Sequence, residues 1–359
     1  MPVHFQENIL MDIFSRLPVR SLLRFKCVSK FWETLIDEPY LSRKHLSHTK
    51  NDQKFQNFLF YQLRPEEPIF SIYCVQLTSA QLVANVRELD FPLNDVEPRY
   101  CEVRCCCNGL VIISVCENIA ECRKLLLWNP LTRESIVLPT PEISMKGFPC
   151  FGMNFDSASG DYKILKIHQV GNEGRKSPGE ILTLKSGSWR KIDDHPPLIH
   201  NVLLGMHSLP FIHGAFHWVG MSKKYFVLSF NISHEVYAEI PLPDQIFLSR
   251  IVDIGVSELD GMLCAYSKGY HTFKLWVMKD YGLKESWNAI FSIEIPHIST
   301  PVPKYRFANG EVLFRGIDGR HADSAFWTRR GPFTLLPRGL FQNGFTFIES
   351  LISPILLIT

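Results

Sequence analysis

KLLLWNPLTRESIVLP, residues 124–139, contains two short apolar runs on either side of a polar segment. Leucine, isoleucine and valine dominate both runs, as they do in buried strands. The segment between them, NPLT at residues 129–132, has the asparagine–proline composition of a tight turn. Two strands joined by so short a turn pair in antiparallel fashion, so this stretch predicts a β-hairpin.

The same strand–turn–strand pattern recurs along most of the chain, often with a tryptophan or phenylalanine after the turn and a glycine nearby. Strands are predicted at residues 55–63, 69–77, 83–91 and 108–115, and hairpins at residues 151–167, 181–192, 210–220, 225–243, 254–267 and 273–293. Such a series favours a β-propeller, in which each blade is a four-stranded sheet of about 40–50 residues. Dividing the roughly 300 residues of this region by that blade length predicts about six or seven degenerate blades. An irregular stack of β-sandwiches is the alternative.

The N-terminal segment has helical rather than strand periodicity. In NILMDIFSRLPVRSLLRFKCVSKFW, residues 8–32, apolar side chains recur at spacings of one and four. Pro18 ends a first helix and can begin a second, and Ser29 is a suitable N-cap for a third that stops at residues 37–39. The side chains predicted to line the third helix are Phe31, Trp32, Leu35 and Ile36.

A module of three short helices buries too little apolar surface to be very stable alone. This one nevertheless has more apolar residues than its own core needs. Three interpretations remain open: a helical cap on the next domain, an independent small helical domain, or a docking module that offers apolar surface to a partner.

Both regions resemble a known family. LPVRSLLRFKCVSK at residues 17–30, followed by Trp32 and residues 35–39, is similar to an F-box. Further along lie, in order, NGLV (108–111), WNPLTRE (128–134), FDSASGDYKIL (155–165), GSWRKI (187–192), GAFHW (214–218) and FIESLISP (347–354). These segments resemble the landmarks of the plant family in which an F-box precedes a kelch-like F-box-associated domain. The resemblance implies a mainly β protein with a three-helix F-box at residues 1–47 and a kelch-like β-propeller at residues 48–359.

The resemblance also implies a function. In that family the F-box binds the Skp-type adaptor of a cullin-based ubiquitin ligase, and the propeller recognises the protein to be ubiquitinated. This chain is therefore expected to be a substrate-receptor subunit, whose partners are the adaptor, a cullin held through it, and an unidentified target protein. The side chains expected to supply adaptor contacts and the module's core, which the sequence does not separate, are Phe5, Ile9, Leu10, Ile13, Leu17, Pro18, Leu22, Leu23, Val28 and Trp32.

One departure from the family pattern motivates an alternative. The family usually opens its first helix with Leu-Pro, whereas His4 and Phe5 stand at the equivalent positions here. The alternative is a protein-interaction scaffold that uses no cullin. Target specificity is expected in propeller loops such as residues 169–180 and 195–206.

The sequence contains no recognised arrangement of catalytic residues. His213 and His217 are four apart in a predicted strand, where such residues lie too far apart to share a metal. The three cysteines at residues 105–107 are consecutive, so they point to alternating faces of a strand. DDH at residues 193–195 is expected in a solvated, proline-rich loop. We therefore predict no catalytic residue, no cofactor and no metal, and a propeller enzyme with a polar pocket on one face is the less favoured alternative.

Charge and cysteine content limit the partners and the compartment. The net charge of +2 gives no electrostatic reason to expect nucleic acid or a membrane surface. No apolar run reaches the roughly 20 residues that span a bilayer. Ten cysteines without a secretory signal pattern predict reduced thiols in the cytoplasm, the nucleus or both.

Overall fold

The structure is a computed structural model, and it describes residues 6–50, 52, 55–64, 69–77, 86–92, 100–118, 121–141, 149–168, 179–192, 196, 199–203, 206, 208–247, 251–294, 298–318, 323–328, 331–333 and 341–358. Four α-helices come first: α1 (Glu7–Phe14), α2 (Val19–Phe25), α3 (Lys30–Asp37) and α4 (Pro39–Lys50). Most of the described residues from 56 to 348 lie in strands.

The first three helices begin and end where the sequence predicts. Pro18 separates α1 from α2. The Ser29 hydroxyl accepts a hydrogen bond of 3.2 Å from the backbone N–H of Trp32, so it caps α3 as predicted.

Helix α4 was not predicted. Its buried face contains Leu41, His45, Leu46 and Thr49. Because two of these four residues are polar, the sequence does not show the regular spacing of apolar residues by which a helix is predicted. The buried ring of His45 makes a hydrogen bond of 2.9 Å through Nε2 to the carbonyl of Leu17, which joins α4 to the segment after α1.

The described strands, in chain order, are β1 (Gln56–Arg64), β2 (Ile69–Gln76), β3 (Arg87–Leu89), β4 (Tyr100–Cys107), β5 (Leu110–Asn118), β6 (Glu121–Trp128), β7 (Ser135–Leu138), β8 (Cys150–Asp156), β9 (Asp161–Ile167), β10 (Gly179–Thr183), β11 (Ser188–Ile192), β12 (His200–Val202), β13 (Phe211–Ile212), β14 (Ala215–Met221), β15 (Tyr225–Asn231), β16 (Val236–Ile240), β17 (Asp253–Leu259), β18 (Met262–Lys268), β19 (Thr272–Met278), β20 (Trp287–Glu294), β21 (Ile298–Arg306), β22 (Val312–Asp318), β23 (Asp323–Thr328), β24 (Gly331–Phe333) and β25 (Phe341–Ile348). Every paired neighbour within a sheet runs antiparallel.

These strands form six sheets, which is within the predicted range of six or seven blades. Sheet 1 has the order β25-β1-β2-β3; sheets 2 and 3 are β4–β7 and β8–β11; sheet 4 contains β12–β16; sheets 5 and 6 are β17–β20 and β21–β24. In sheet 4 the first strand is interrupted, since both β12 and β13 pair with β14.

The sheets are arranged as a closed ring. The first strands touch in succession: β25 contacts β4, β4 contacts β8, β17 contacts β21, and β21 contacts β25. Sheet 4 joins sheet 3 through the bridge between Phe151 and Ser208, and joins sheet 5 through β14 and β17. Because β25 pairs with β1, the end of the chain completes the sheet that the chain began. The prediction of a β-propeller is confirmed.

Recurring glycine turns explain the repeated hairpin pattern. The first two strands of sheets 2, 4 and 5 are joined by Asn108-Gly109, His213-Gly214 and Asp260-Gly261. Both residues of each pair have positive φ, between 48° and 80°. This is the geometry of a type I′ turn, whose twist matches that of paired strands and which favours glycine at the second position.

The helical module packs directly against the propeller. Leu10 and Phe14 of α1 belong to the same buried cluster as Leu59 of sheet 1 and Trp128 of sheet 2. Apolar surface of the helices is therefore shared with the propeller, as the cap interpretation expected. The domain boundary between residues 47 and 48 stays a prediction.

The C-terminal segment after β25 lies between the helices and sheet 2. The side-chain amide of Asn129 donates to the carbonyls of Ser350 (3.0 Å) and Ile352 (2.8 Å), and its oxygen accepts from the N–H of Leu131 (2.9 Å). The Ser42 hydroxyl on α4 donates to the carbonyl of Leu351 (3.4 Å). The turn at residues 129–132 thus both connects β6 to β7 and holds the end of the chain.

Candidate functional site

The predicted docking residues fall into three groups in the structure. Exposed members are Ile9, Ile13, Pro18 and Val28. Partly buried members that pack against the shared core are Leu17, Leu23 and Trp32. Leu10 and Leu22 are buried in that core, and Phe5 lies outside the described residues together with His4.

The two faces of α1 are clearly different. Leu10 and Phe14 face the core, whereas Ile9 and Ile13, also four residues apart, remain 47% and 46% exposed. An isoleucine left half-exposed contributes little to folding. A pair of them on one helical face is therefore available to a partner.

Aromatic side chains fix the positions of the helices. The ring of Trp32 lies edge-on to those of Phe14 and Phe25, with centroid distances of 5.2 Å in both cases. Trp32 therefore holds α1, α2 and α3 in position relative to one another. Its partial burial explains why the sequence alone could not assign it to core or contact.

The structure corrects the prediction for Phe31 and adds Tyr40. Phe31 was expected to line α3, but it points outward and is 47% exposed, while Leu35 and Ile36 are buried. Tyr40, at the start of α4, is 53% exposed, and the Lys44 ammonium lies 5.8 Å from its ring centroid. Phe31 stands four residues before Leu35, so helical spacing places it at the edge of the buried face and does not by itself show that it is exposed.

Ion pairs join the helices around these exposed side chains. Lys44 of α4 pairs with Asp12 of α1, and Lys26 pairs with Asp37 of α3. The hydrogen bond from Lys44 lowers the pKa of Asp12. Such exposed pairs add little stability, but they restrict the relative positions of the helices.

A second candidate site is a cavity on the axis of the ring. Its narrow part, about 160 Å³, is lined by all six sheets and includes Ser257, Glu258 and Lys304. Its wide part, about 550 Å³, extends toward Lys50 at the end of α4. The polar lining means that the fold provides the kind of pocket on which the enzyme alternative depends.

The cysteines of β4 diverge as predicted. Cys105 and Cys107 pack with the cluster that includes sheet 3, and Cys106 packs with the cluster that includes sheet 1. Burial raises the pKa of Cys107 to about 12, so its thiol stays protonated at neutral pH. Among the residues that the structure describes, no three His, Cys, Asp or Glu side chains are placed to hold a metal ion. Residues 193–195 lie outside the described part.

His213 and His217 both contact the ring of Tyr281. His213 lies in the turn before β14, with its ring centroid 4.6 Å from that of Tyr281. His217 is fully buried on β14, and its Nε2 lies 2.8 Å from the Tyr281 hydroxyl. Burial lowers the pKa of His217 to about 4. These groups join sheet 4 to the β19–β20 connection of sheet 5.

This burial predicts an acid-dependent loss of stability. His217 is neutral in the folded chain above pH about 4, while in the unfolded chain it binds a proton below about 6.5. The unfolded state therefore binds more protons between these values, and stability falls as the pH falls. We expect this residue to contribute about 2 kcal/mol of the loss in free energy of unfolding between pH 7 and 5. Urea denaturation should show that the free energy of unfolding of His217→Gln falls by about 2 kcal/mol less between pH 7 and 5 than that of the unaltered protein.

The matched control is His234→Gln, since His234 is exposed. Its pH dependence should equal that of the unaltered protein. Equal pH dependence of all three proteins would contradict the prediction.

Two family models match this chain in consecutive segments. The F-box domain model matches residues 4–44, and the F-box associated beta propeller domain model matches residues 50–314, most of the chain. The chain belongs to the F-box associated beta propeller family. With its F-box, it is a plant F-box protein.

Curated relatives agree with this assignment. F-box protein CPR1 of Arabidopsis thaliana is 27% identical over 80% of this chain and 73% of its own length. F-box protein At3g07870 of the same plant is 29% identical over 80% and 72%, and F-box/kelch-repeat protein At3g23880 is 27% identical over 82% and 79%. Separately, no described helix is long and apolar enough to span a membrane.

Proposed function

We propose that this F-box protein is the substrate-receptor subunit of a Skp–cullin–F-box ubiquitin ligase. The observation that carries the proposal is the outward pair Ile9 and Ile13 on α1, inside the segment that matches the F-box model. Val28 and Phe31, 62% and 47% exposed, extend the apolar surface of the module. An amphipathic helix that leaves one apolar face free is suited to docking in a groove of a partner.

In this proposal the propeller holds the target protein. Among the described residues, the connections 222–224 and 269–271, between the second and third strands of sheets 4 and 5, lie at the opposite end of those strands from the turns His213-Gly214 and Asp260-Gly261. Of the predicted specificity loops, residues 169–178 lie outside the described residues, whereas the predicted loop 195–206 contains strand β12 (His200–Val202). The chain itself catalyses no step. It raises the rate of ubiquitin transfer by holding the target near a charged conjugating enzyme, in the cytoplasm, the nucleus or both.

The decisive experiment is co-purification of the full chain with a Skp-type adaptor and a cullin. Ile13→Asp places a carboxylate on the exposed face of α1 without altering the core. We expect it to weaken adaptor binding by about 100-fold or more, because the charge would be buried unpaired in the interface. Leu17→Asp is a poorer test, because Leu17 packs against the shared core and its loss would also affect folding.

Val137→Asp is the matched control. Val137 is 59% exposed on the outer strand of sheet 2, outside the segment that matches the F-box model, and its replacement should leave adaptor binding unchanged. Loss of binding with both variants, or with neither, would refute docking through α1. Failure of the unaltered chain to bind any adaptor, with recovery of another stable complex, would favour the scaffold alternative.

A further inference from the structure

The narrow and wide parts of the axial cavity adjoin each other along the propeller. The two parts share six lining residues: Cys106, Asn154, Phe211, Glu258, Lys304 and Thr346. The wide part is bordered by the turns Asn108-Gly109 and Asp260-Gly261 and by Lys50. A small molecule could therefore enter from the helical end and reach the narrow part.

Two innermost strands carry a cation on a β-bulge. On β21 the pairing register shifts between Pro303 and Tyr305, so that Lys304 is the extra residue. On β4 the register shifts between Val103 and Cys105, so that Arg104 is the extra residue. A bulge redirects the side chain of its extra residue away from the regular alternation.

The two cations differ in their partners. The Arg104 guanidinium lies 2.8 Å from the Glu102 carboxylate and donates to the Ser114 hydroxyl at 2.8 Å. Lys304 has no carboxylate within ion-pair distance among the described residues. Its ammonium lies 5.3 Å from the ring centroid of Phe345.

Among the described residues, the charged side chain with the largest effect on the pKa of Lys304 is another cation, Arg315. Burial, assisted by the nearby Arg315 guanidinium, lowers the pKa of Lys304 to about 7. Two carboxylates border the cavity, but the Glu258 side chain accepts the N–H of Gly261 (3.0 Å), and Asp260 lies 3.3 Å from Arg306.

A second polar group faces the same space. Ser257 is 8% exposed and lines the narrow part, and its hydroxyl has no hydrogen-bond partner among the described residues. Buried polar groups in folded proteins are nearly always hydrogen-bonded. A hydroxyl and an ammonium lining one narrow cavity form a donor pair for an anion.

We propose that the axial cavity binds a small carboxylate or phosphate anion, with the Lys304 ammonium as its counter-charge and the Ser257 hydroxyl as a second donor. The anionic group occupies the narrow part, and the rest of the ligand occupies the wide part. Lys304 is partly buried, and a bound anion would offset the partial desolvation of its ammonium. This site is independent of adaptor docking.

The test is equilibrium dialysis of the full chain at pH 6, below the pKa of Lys304, with radiolabelled succinate, inorganic phosphate and the neutral isostere succinamide. We expect saturable binding of succinate, phosphate or both, and none of succinamide. The two anions distinguish carboxylate from phosphate as the preferred group. Lys304→Met should weaken anion binding by about tenfold or more, while Lys304→Arg retains it.

Lys223→Met is the control, because Lys223 is exposed in the turn after β14 and does not line the cavity. It should bind as the unaltered chain does. If neither anion binds in the millimolar range, or if Lys304→Met binds as well as Lys223→Met, the proposal is overturned. Circular dichroism of each variant establishes that loss of binding is not loss of folding.

Discussion

Replacing Glu180 by glutamine is expected to lower the free energy of unfolding by about 3–5 kcal/mol. Glu180 of β10 stands directly opposite Lys166 of β9, and its carboxylate lies 2.8 Å from the ammonium. The two side chains are 1% and 0% exposed. Removing the negative charge takes from a fully buried ammonium the carboxylate that lies 2.8 Å away, which is much more costly than losing an ion pair in water.

Two further variants isolate this effect. The double variant Lys166→Met/Glu180→Leu removes both charges of this buried pair, and its stability should equal or exceed that of the unaltered protein. The exposed pair between Lys284 and Asp244, at 2.8 Å, is the control: Asp244→Asn should cost less than about 1 kcal/mol. Urea denaturation measures the free energy of unfolding of all three variants. A loss in Glu180→Gln no larger than that in Asp244→Asn would contradict the prediction.

The propeller was predictable because its hairpins are local. Each needs only two apolar runs and a turn, and the sequence displays all of these, as residues 124–139 show. Turns such as Asn108-Gly109 are read directly from residue type, since both positions need positive φ. Closure of the ring is not local. It depends on pairing between β25 and β1, which are separated by most of the chain.

The docking surface was predictable in outline only. The periodicity of α1 places Leu10 and Phe14 on one face, but it cannot tell which face a neighbouring domain covers. Ile9 and Leu10 are adjacent and equally apolar, yet the propeller buries only Leu10. Helix α4 was missed because polar His45 and Thr49 lie on its buried face.

The charged cavity could not be predicted. Lys304 follows Pro303 in an unremarkable segment, and only the register between β21 and β22 shows that it occupies a bulge. A register depends on pairs of residues from two strands, so no single stretch of sequence contains it. The buried pair of Lys166 and Glu180 was missed for the same reason.

Gly109→Ala is expected to be strongly destabilising, whereas the same change at Gly261 should cost only about 1–2 kcal/mol. Both glycines are second residues of equivalent turns, with φ of 80° and 75°. The strain of a positive φ is therefore the same in both variants. Their surroundings differ, because a methyl group at Gly261 would meet no atom within 4 Å.

At Gly109 the added Cβ would lie 2.3 Å from the Ser350 hydroxyl and 2.9 Å from the carbonyl of Ile348. The C-terminal segment would have to move away from the turn, at an additional cost of about 1–3 kcal/mol. That movement would also weaken the hydrogen bonds from Asn129 to the carbonyls of Ser350 and Ile352.

Urea denaturation should therefore place Gly109→Ala below Gly261→Ala in stability, and limited proteolysis should cleave the C-terminal segment of Gly109→Ala faster. Adding Ser350→Gly should restore part of the loss, since it removes the nearest two atoms. Equal destabilisation by the two alanine variants would contradict the prediction, because the close approach of the C-terminal segment to Gly109 would then add no cost.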